Sequence, residues 1–194
     1  MKRFLPFLVF VFVIACQSDK EDHQHNIDAA SLETTATTKA TKPDTTEKKY
    51  EVVKSEKEWK QILSPEEFYV LREDGTEKPF DNDYWDNKKE GIYYCAACGQ
   101  PLYSSKTKYK SGTGWPSFWK PIKPAFVDKL LDNKLWTPRT EIVCSRCGSH
   151  IGHVFEDGPE PTGLRYCMNS AALEFKEMDL STIDEKSLTP IDLY

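Results

Sequence analysis

GIYYCAACG at residues 91–99 and EIVCSRCG at residues 141–148 share one layout: a short run rich in Ile, Val or Tyr, a cysteine, two spacer residues, a second cysteine and a glycine. Branched and aromatic residues in such brief runs favour strands. Two spacers let a tight turn aim both sulfurs at one point, and the following glycine supplies the positive φ that the turn requires. Cys95, Cys98, Cys144 and Cys147 together predict a four-thiolate zinc site, one per chain, joining two strand ends that are far apart in sequence. Two alternatives stay open: a disulfide within each pair, or a pair of redox-active dithiols. A bridge within CxxC closes a very small loop and stabilises little, whereas a metal clamps distant segments. Four thiolates fill zinc's coordination shell, so this metal would be structural and the chemistry would sit elsewhere.

Outward from these pairs the same texture continues. IGHVF, LRYC and ALEF are brief apolar runs punctuated by Gly and Pro, as expected of strands joined by loops. Upstream, SEKEWKQIL has Ser55 and Glu58 at capping-box spacing with Trp59, Ile62 and Leu63 on one face. SPEEF repeats the device with Ser64, Pro65 and Glu67. The fold class is mainly β, with antiparallel sheets and a few short N-terminal helices. Aromatic residues begin at Tyr50 and are frequent to about Phe175, which sets a single domain at residues 50–180 followed by a tail at 181–194. Roughly 130 residues is a common size for one core.

The chain opens MKRFLPFLVFVFVIACQSDKED: Lys2 and Arg3, then an apolar run from Phe4 to Ala15 interrupted by Pro6. The run matches a signal-peptide core and falls short of the roughly 20 residues that cross a bilayer. VIAC resembles a bacterial lipobox, which makes residues 1–15 a lipoprotein signal peptide and Cys16 the lipidated first residue of the mature chain; an ordinary signal peptide with an incidental cysteine is the alternative. The lipid reading places the protein in the bacterial cell envelope, on the membrane through its anchor only. Residues 16–49 carry seven threonines, charges of both signs, no aromatic residue, and only Ile27 and Leu32 as large aliphatics, the composition of a disordered tether. His23 and His25 fall inside it and read as solvated. The net charge of −5 has no basic stripe within it, which argues against a nucleic-acid partner.

Of six cysteines, one is assigned to lipid and four to metal, which leaves Cys167 in GLRYCMNSAA. A free cysteine often packs as a small hydrophobe. Here Arg165 and Asn169 stand two residues to either side and would share its face on a strand. Arg165 would favour the thiolate and Asn169 would donate to developing negative charge. Two further segments have the composition of a pocket: SHIGHVFEDGP, with His150 and His153 either side of a glycine, and SGTGWPSFW, with Trp115, Phe118 and Trp119 beside flexible glycines. Singly, such residues usually just pack. Histidine is also the natural proton donor near neutral pH.

GIYYCAACGQPL, SGTGWPSF, CSRCGSHIGHVFEDGPEPTGLRYCMNSAAL and SPEEFYVLREDGTEKPF together resemble the B-type peptide-methionine sulfoxide reductases, enzymes acting on the R epimer. The resemblance runs from about Lys54 to Phe175. It implies that family's β fold, structural zinc on Cys95, Cys98, Cys144 and Cys147, and Cys167 as nucleophile. It further implies His150, His153 and Asn169 in the active site, with Trp115, Phe155 and Arg165 at the substrate. One departure matters: Thr113 stands where many members carry a second, resolving cysteine. The implied mechanism is thiolate attack by Cys167 on the sulfoxide sulfur, protonation of the oxygen by His153, and a sulfenic acid reduced by an external, thioredoxin-like protein thiol. The implied partners are thus oxidised methionine-containing proteins or peptides and that reductant. A zinc-stabilised binding module and an envelope thiol oxidoreductase using the CxxC pairs are the competing readings.

Overall fold

The computed structural model describes residues 50–194. The signal segment 1–15, Cys16 and the tether 16–49 lie outside the described residues. Helix α1 (Glu56–Ile62) and helix α2 (Pro65–Glu73) both start on the capping boxes expected of them. Ser55 Oγ accepts from Glu58 N while the Glu58 carboxylate accepts from Ser55 N at 2.7 Å, and Ser64 and Glu67 do the same. Each box satisfies amide donors that the first turn leaves orphaned. The helices bury Trp59, Phe68, Val70 and Leu71 against the sheets.

The strands that follow are β1 (Gly91–Cys95), β2 (Pro101–Ser104), β3 (Lys108–Tyr109), β4 (Ser117–Phe118), β5 (Val127–Asp132), β6 (Arg139–Cys144), β7 (His150–Phe155), β8 (Arg165–Met168) and β9 (Leu173–Glu177). They form two antiparallel sheets, one in the order β2-β1-β9 and one in the order β3-β4-β8-β7-β6-β5. The domain is therefore mainly β with two short leading helices. β1 reads as an unbroken apolar run because both of its faces are covered. Tyr93 enters the main core, edge-on to Phe118 and tilted against Phe175, while Ile92 and Tyr94 point the other way into a small cluster around Leu180. Residues 181–194, read from sequence as a tail, lie back on the domain: Leu188 and Ile191 pack on that small cluster, Ile191 N donates to Gly99 O at 3.0 Å, and Tyr194 Oη donates to Ala96 O at 2.7 Å.

The cysteine pairs occupy the ends of β1 and β6, one in each sheet. Cys95 N–H bonds back to Gln100 O, and the two glycines close each turn at φ 69° and 70°, Gly99 N donating to Cys95 O and Gly148 N to Cys144 O, both at 2.8 Å. A side chain at Gly99 would strike Ile191 O, so the C-terminal segment adds a steric reason to the conformational one.

Candidate active site and the cysteine cluster

The four knuckle cysteines converge. All are buried thiols, and their sulfurs lie within 4.8 Å of one another, with Cys95 Sγ 3.8 Å from Cys147 Sγ and Cys98 Sγ 3.6 Å from Cys144 Sγ. Sulfurs at the corners of a tetrahedron with bonds of about 2.3 Å would be about 3.8 Å apart, so the spacing fits one tetrahedral ion and excludes sulfur–sulfur bonds of ~2.0 Å. Burial pushes the Cys95 thiol well up, a cost that a divalent cation would relieve. Around the cluster Arg146 donates to Cys98 O at 2.6 Å. Arg72 donates to Ser149 Oγ at 3.0 Å, and that hydroxyl lies 3.2 Å from Cys147 Sγ. The group can hold a metal, and it offers no open side to a substrate.

Cys167 sits apart from that cluster, in the middle of the six-stranded sheet. Register places Ser117 of β4 opposite it on one side and His153 of β7 on the other. Facing residues on neighbouring antiparallel strands share a face, so the thiol, the imidazole and the Ser117 hydroxyl form one row. Thr113 Oγ1 is 3.7 Å from Cys167 Sγ and 2.9 Å from Ser111 Oγ, which accepts from Ser117 Oγ at 2.8 Å. The 111–117 loop thus closes over the thiol. Cys167 is half-buried, and burial raises its pKa above the ordinary thiol value; Thr113, the Arg165 charge and Ser117 offset this only in part. Arg165 therefore acts in the direction expected from sequence, and burial outweighs it.

His153 Nε2 donates to Asp132 Oδ2 at 2.8 Å. The same carboxylate oxygen accepts from Arg139 Nη2 at 2.6 Å, and Oδ1 accepts from Lys134 N at 3.0 Å. Those bonds hold the Asp132 carboxyl well below its usual range, the Lys134 amide contributing most and His153 next. Burial lowers the His153 imidazole, which Asp132 opposes and the Arg139 charge reinforces. Asp132 is thus an anion that fixes Nε2 as the protonated nitrogen of a neutral ring, leaving Nδ1 for proton exchange.

His150 is in a different position. Residues three apart on a strand normally face opposite ways, but an irregularity in the β6–β7 ladder lies between the histidines, where Ile142 pairs with Gly152 and Val143 with His150. The two rings come to 5.3 Å between centroids. His150 is fully buried behind His153, with Nδ1 2.6 Å from Glu141 Oε1 and Nε2 buried without a hydrogen-bond partner. It does not line the cleft in front of the thiol.

That cleft holds about 110 Å³. Cys167, His153, Arg139 and Asn169 supply its polar edge, and Trp115, Phe155 and Met168 its apolar wall. The 350 Å³ hollow beside Lys88 and Lys108 contains no thiol or imidazole, and the 390 Å³ one at the C-terminal segment is bordered by the cluster cysteine Cys98 and no imidazole. Trp115 Nε1 donates to Glu77 O at 3.2 Å, which turns the ring's carbon face to the cleft. Asn169 does not continue the strand: β8 ends at Met168 and Asn169 opens a short 3-10 turn at Ser170–Ala172. Its Oδ1 accepts from Glu77 N at 3.3 Å and its Nδ2 donates to Ile151 O at 3.2 Å, so one N–H of the amide is left for the cleft. Arg165 stands outside the lining. Its guanidinium lies 4.3 Å from the Phe155 ring centroid and grips Asp157 through two bonds of 2.8 and 2.9 Å.

Sequence reasoning did not single out Glu77, Asp132 or Arg139. Glu77 is buried, and its carboxylate accepts from the backbone N–H of Ser170 and Ala171 while its own backbone holds Asn169 and Trp115. Only the REDGTEKPF segment's place in the family-like stretch pointed at Glu77; nothing local marked Asp132 or Arg139.

Fold and site together fit the class of oxidoreductases, with a thiol beside an imidazole kept apart from a cluster that could hold a metal. Residues 63–177 match the SelR domain family. Over 129 residues, 66% of this chain and 92% of the relative, the sequence is 59% identical to the peptide methionine sulfoxide reductase MsrB of Methanosarcina mazei. It is 56% identical to that of Leptospira interrogans over 66% of this chain and 98% of the relative. The chloroplastic peptide methionine sulfoxide reductase B1 of Arabidopsis thaliana is 50% identical over 64% of this chain and 62% of its own length. The chain belongs to the SelR, or peptide methionine sulfoxide reductase B, family.

Proposed function

We propose that this chain reduces the R epimer of methionine sulfoxide in oxidised proteins or peptides to methionine, with Cys167 as nucleophile and an external thiol as reductant. The observation that carries the reading is the thiol facing a carboxylate-held imidazole across the β7–β8 pair, with an aromatic wall beside both.

The directions of the two pKa shifts give a resting site with a neutral thiol and a neutral imidazole, which together carry one transferable proton. The reaction needs no more than that. His153 Nδ1 takes the thiol proton as the Cys167 sulfur bonds to the sulfoxide sulfur, and the ionised Asp132 stabilises the imidazolium so formed. The imidazolium returns the proton to the sulfoxide oxygen. The hydroxyl then passes from the substrate sulfur to the Cys167 sulfur as the sulfur–sulfur bond between them breaks: two of the four electrons of the broken bonds make the new sulfur–oxygen bond of Cys167–SOH, and the other two leave as a lone pair on the thioether. The free N–H of Asn169 is placed to steady the oxygen. The epimer is read by Trp115: with the methyl group on its carbon face the oxygen points to the polar edge, whereas the S epimer puts an unpaired oxygen against the ring at roughly 1–3 kcal/mol.

This assignment predicts a plateau in kcat/KM through neutral pH. The acid limb lies below the ordinary histidine pKa, where His153 acquires a second proton and can no longer accept one. The alkaline limb lies above the ordinary thiol pKa, where Cys167 has lost the proton that the oxygen needs. A profile that climbs steadily with pH from 6 to 9 would count against proton return through His153.

With Thr113 beside the nucleophile, regeneration falls to an outside dithiol. Its first thiol attacks the sulfenic sulfur and water leaves, giving a mixed disulfide; its second displaces Cys167, and the reductant departs as a disulfide. A thioredoxin-like protein of the envelope fits that role. One equivalent of substrate without reductant is expected to yield a dimedone-trappable sulfenic acid and no intramolecular disulfide. Thr113→Cys should instead close a bridge to Cys167, because the two side chains are already 3.7 Å apart. A disulfide between Cys167 and a cluster cysteine in the parent would sink the one-cysteine cycle.

We also infer that the metal is zinc, from the all-sulfur tetrahedral donor set, and that Cys16 is lipidated and tethers the domain in the cell envelope. The charged start, the apolar run and VIAC support the anchor; the intact mass of the mature N-terminus tests it.

A further inference from the structure

Three hydroxyls stand in series beside Cys167. Thr113 Oγ1 is 3.7 Å from Cys167 Sγ, Ser111 Oγ is 2.9 Å from Thr113 Oγ1, and Ser117 Oγ is 2.8 Å from Ser111 Oγ. The far end has a second acceptor within reach, because Ser117 Oγ also lies 3.2 Å from Trp115 O. Ser117 is fully buried and in register with Cys167, and Thr113 N donates to Ser111 Oγ at 3.3 Å, so the series is held in place along its length.

A hydroxyl has one proton and two lone pairs, and on those terms the series runs in either direction. With the thiol protonated, the S–H donates to Thr113, Thr113 to Ser111, Ser111 to Ser117, and Ser117 to the Trp115 carbonyl. With the sulfur ionised, every proton turns the other way: Ser117 donates to Ser111, Ser111 to Thr113, and Thr113 to the sulfur. Ser111 accepts two bonds in each arrangement, one of them always from Thr113 N. Neither arrangement leaves a hydroxyl proton without an acceptor.

We propose that this hydroxyl chain serves the regeneration of Cys167, reversing its direction to stabilise the sulfur as a leaving thiolate. The inference rests on the reductase reading above and adds to it Thr113, a residue that touches the reacting atom. Attack on the sulfoxide needs no free thiolate, since His153 takes the proton as the sulfur–sulfur bond forms. Regeneration ends differently. The reductant's second thiolate bonds to its own first sulfur, the bond from that sulfur to Cys167 breaks, and the electron pair goes to the Cys167 sulfur. That sulfur then takes up one proton from solvent, equal to the one given up when the attacking thiol ionised. Such an exchange is faster the lower the pKa of the leaving thiol, and burial works against Cys167 here. Hydrogen bonds in line polarise one another, so the last hydroxyl is a better donor than a lone one and brings no net charge into the cleft.

Other charged or titratable groups also act on the sulfur: Arg165 with Asp157 on β8 and its preceding loop, His153 with Asp132, Arg139 at the cleft, and Tyr109 on β3. All of them stay in place in the variants that test the chain. These are Thr113→Val, which keeps the shape and drops the hydroxyl, Thr113→Ser, which restores it, and Ser111→Ala, which breaks the series one link back. Three quantities are measured on the full chain: the pH midpoint of Cys167 alkylation by iodoacetamide, the rate of sulfenic acid formation with one equivalent of N-acetylmethionine R-sulfoxide, and the rate at which dithiothreitol releases Cys167 from a mixed disulfide with glutathione. Thr113→Val is expected to move the alkylation midpoint to higher pH. It should also lose roughly tenfold more in disulfide release than in sulfenic acid formation, the scale of one hydrogen bond to a charged group. Ser111→Ala should act in the same direction and less, and Thr113→Ser should lie close to the parent. An unmoved midpoint in Thr113→Val, equal losses in the two rates, or no recovery in Thr113→Ser would make the loop a mere cover of the cleft and overturn the proposal. Ser111→Ala matching the parent would overturn it too, by reducing the chain to a single hydroxyl. A parent that forms no sulfenic acid would remove the reductase reading, while the alkylation midpoints and disulfide release would still decide the chain.

Discussion

Cys167→Ser is expected to reduce turnover of R-methionine sulfoxide by at least about 10⁴-fold, the scale on which removing a nucleophile acts, with metal content and melting temperature close to the parent's. The hydroxyl is nearly isosteric and meets the Thr113 hydroxyl, so the loop over the site keeps its contacts. What is lost is the soft, polarisable atom that attacks sulfur and then carries oxygen as a sulfenic acid. No other thiol among the described residues can substitute, because the remaining four are buried together at the sheet ends. The variant and parent are compared by steady-state turnover with a small dithiol, thermal melting and metal analysis. Residual activity within tenfold of the parent would mean that a cluster cysteine is the reacting group. Melting at a much lower temperature would mean instead that Cys167 is chiefly a packing residue.

The parts of this architecture that were legible in the sequence are those set by local chemistry. Two capping boxes, two knuckles with their glycines and five strand-like runs each depend on residues within a few positions of one another, and each stands where the pattern placed it. The parts that were not legible depend on register. Asp132 reaches His153 across 21 residues, and Glu77 reaches the turn at Ser170 across 93, with no spacing rule to connect them. The face shared by His150 and His153 depends on a ladder irregularity that a period-two reading cannot contain. Asn169 was read as a strand neighbour of Cys167, whereas the strand ends one residue earlier and the amide enters the cleft from a turn. The sign of the cysteine's pKa shift was equally out of reach: Arg165 is visible in the sequence, but the depth at which the thiol is buried is not, and burial decides the outcome.

Removing the metal is expected to unfold the domain, and so to abolish activity without touching a catalytic atom. Cys95 ends β1 in the three-stranded sheet and Cys144 ends β6 in the six-stranded one, so the ion would join the two sheets at their cysteine ends. Metal binding supplies on the order of 10 kcal/mol to small structural sites, while whole domains are stable by about 5–15 kcal/mol; loss of the first consumes most of the second. Cys95→Ser or prolonged chelation should therefore lower the melting temperature by tens of degrees, or leave no cooperative transition, whereas Cys167→Ser should not. The loss has an expected order. Ile191 N and Tyr194 Oη bond to Gly99 O and Ala96 O of the first knuckle, so the C-terminal segment is fastened to the metal site itself. Amide exchange around 188–194 should rise at chelator concentrations that still leave β7 and β8 protected, which hydrogen-exchange mass spectrometry resolves by segment. A metal-free chain that stays folded, keeps that segment protected and turns over sulfoxide would show that the four cysteines contribute packing rather than a clamp.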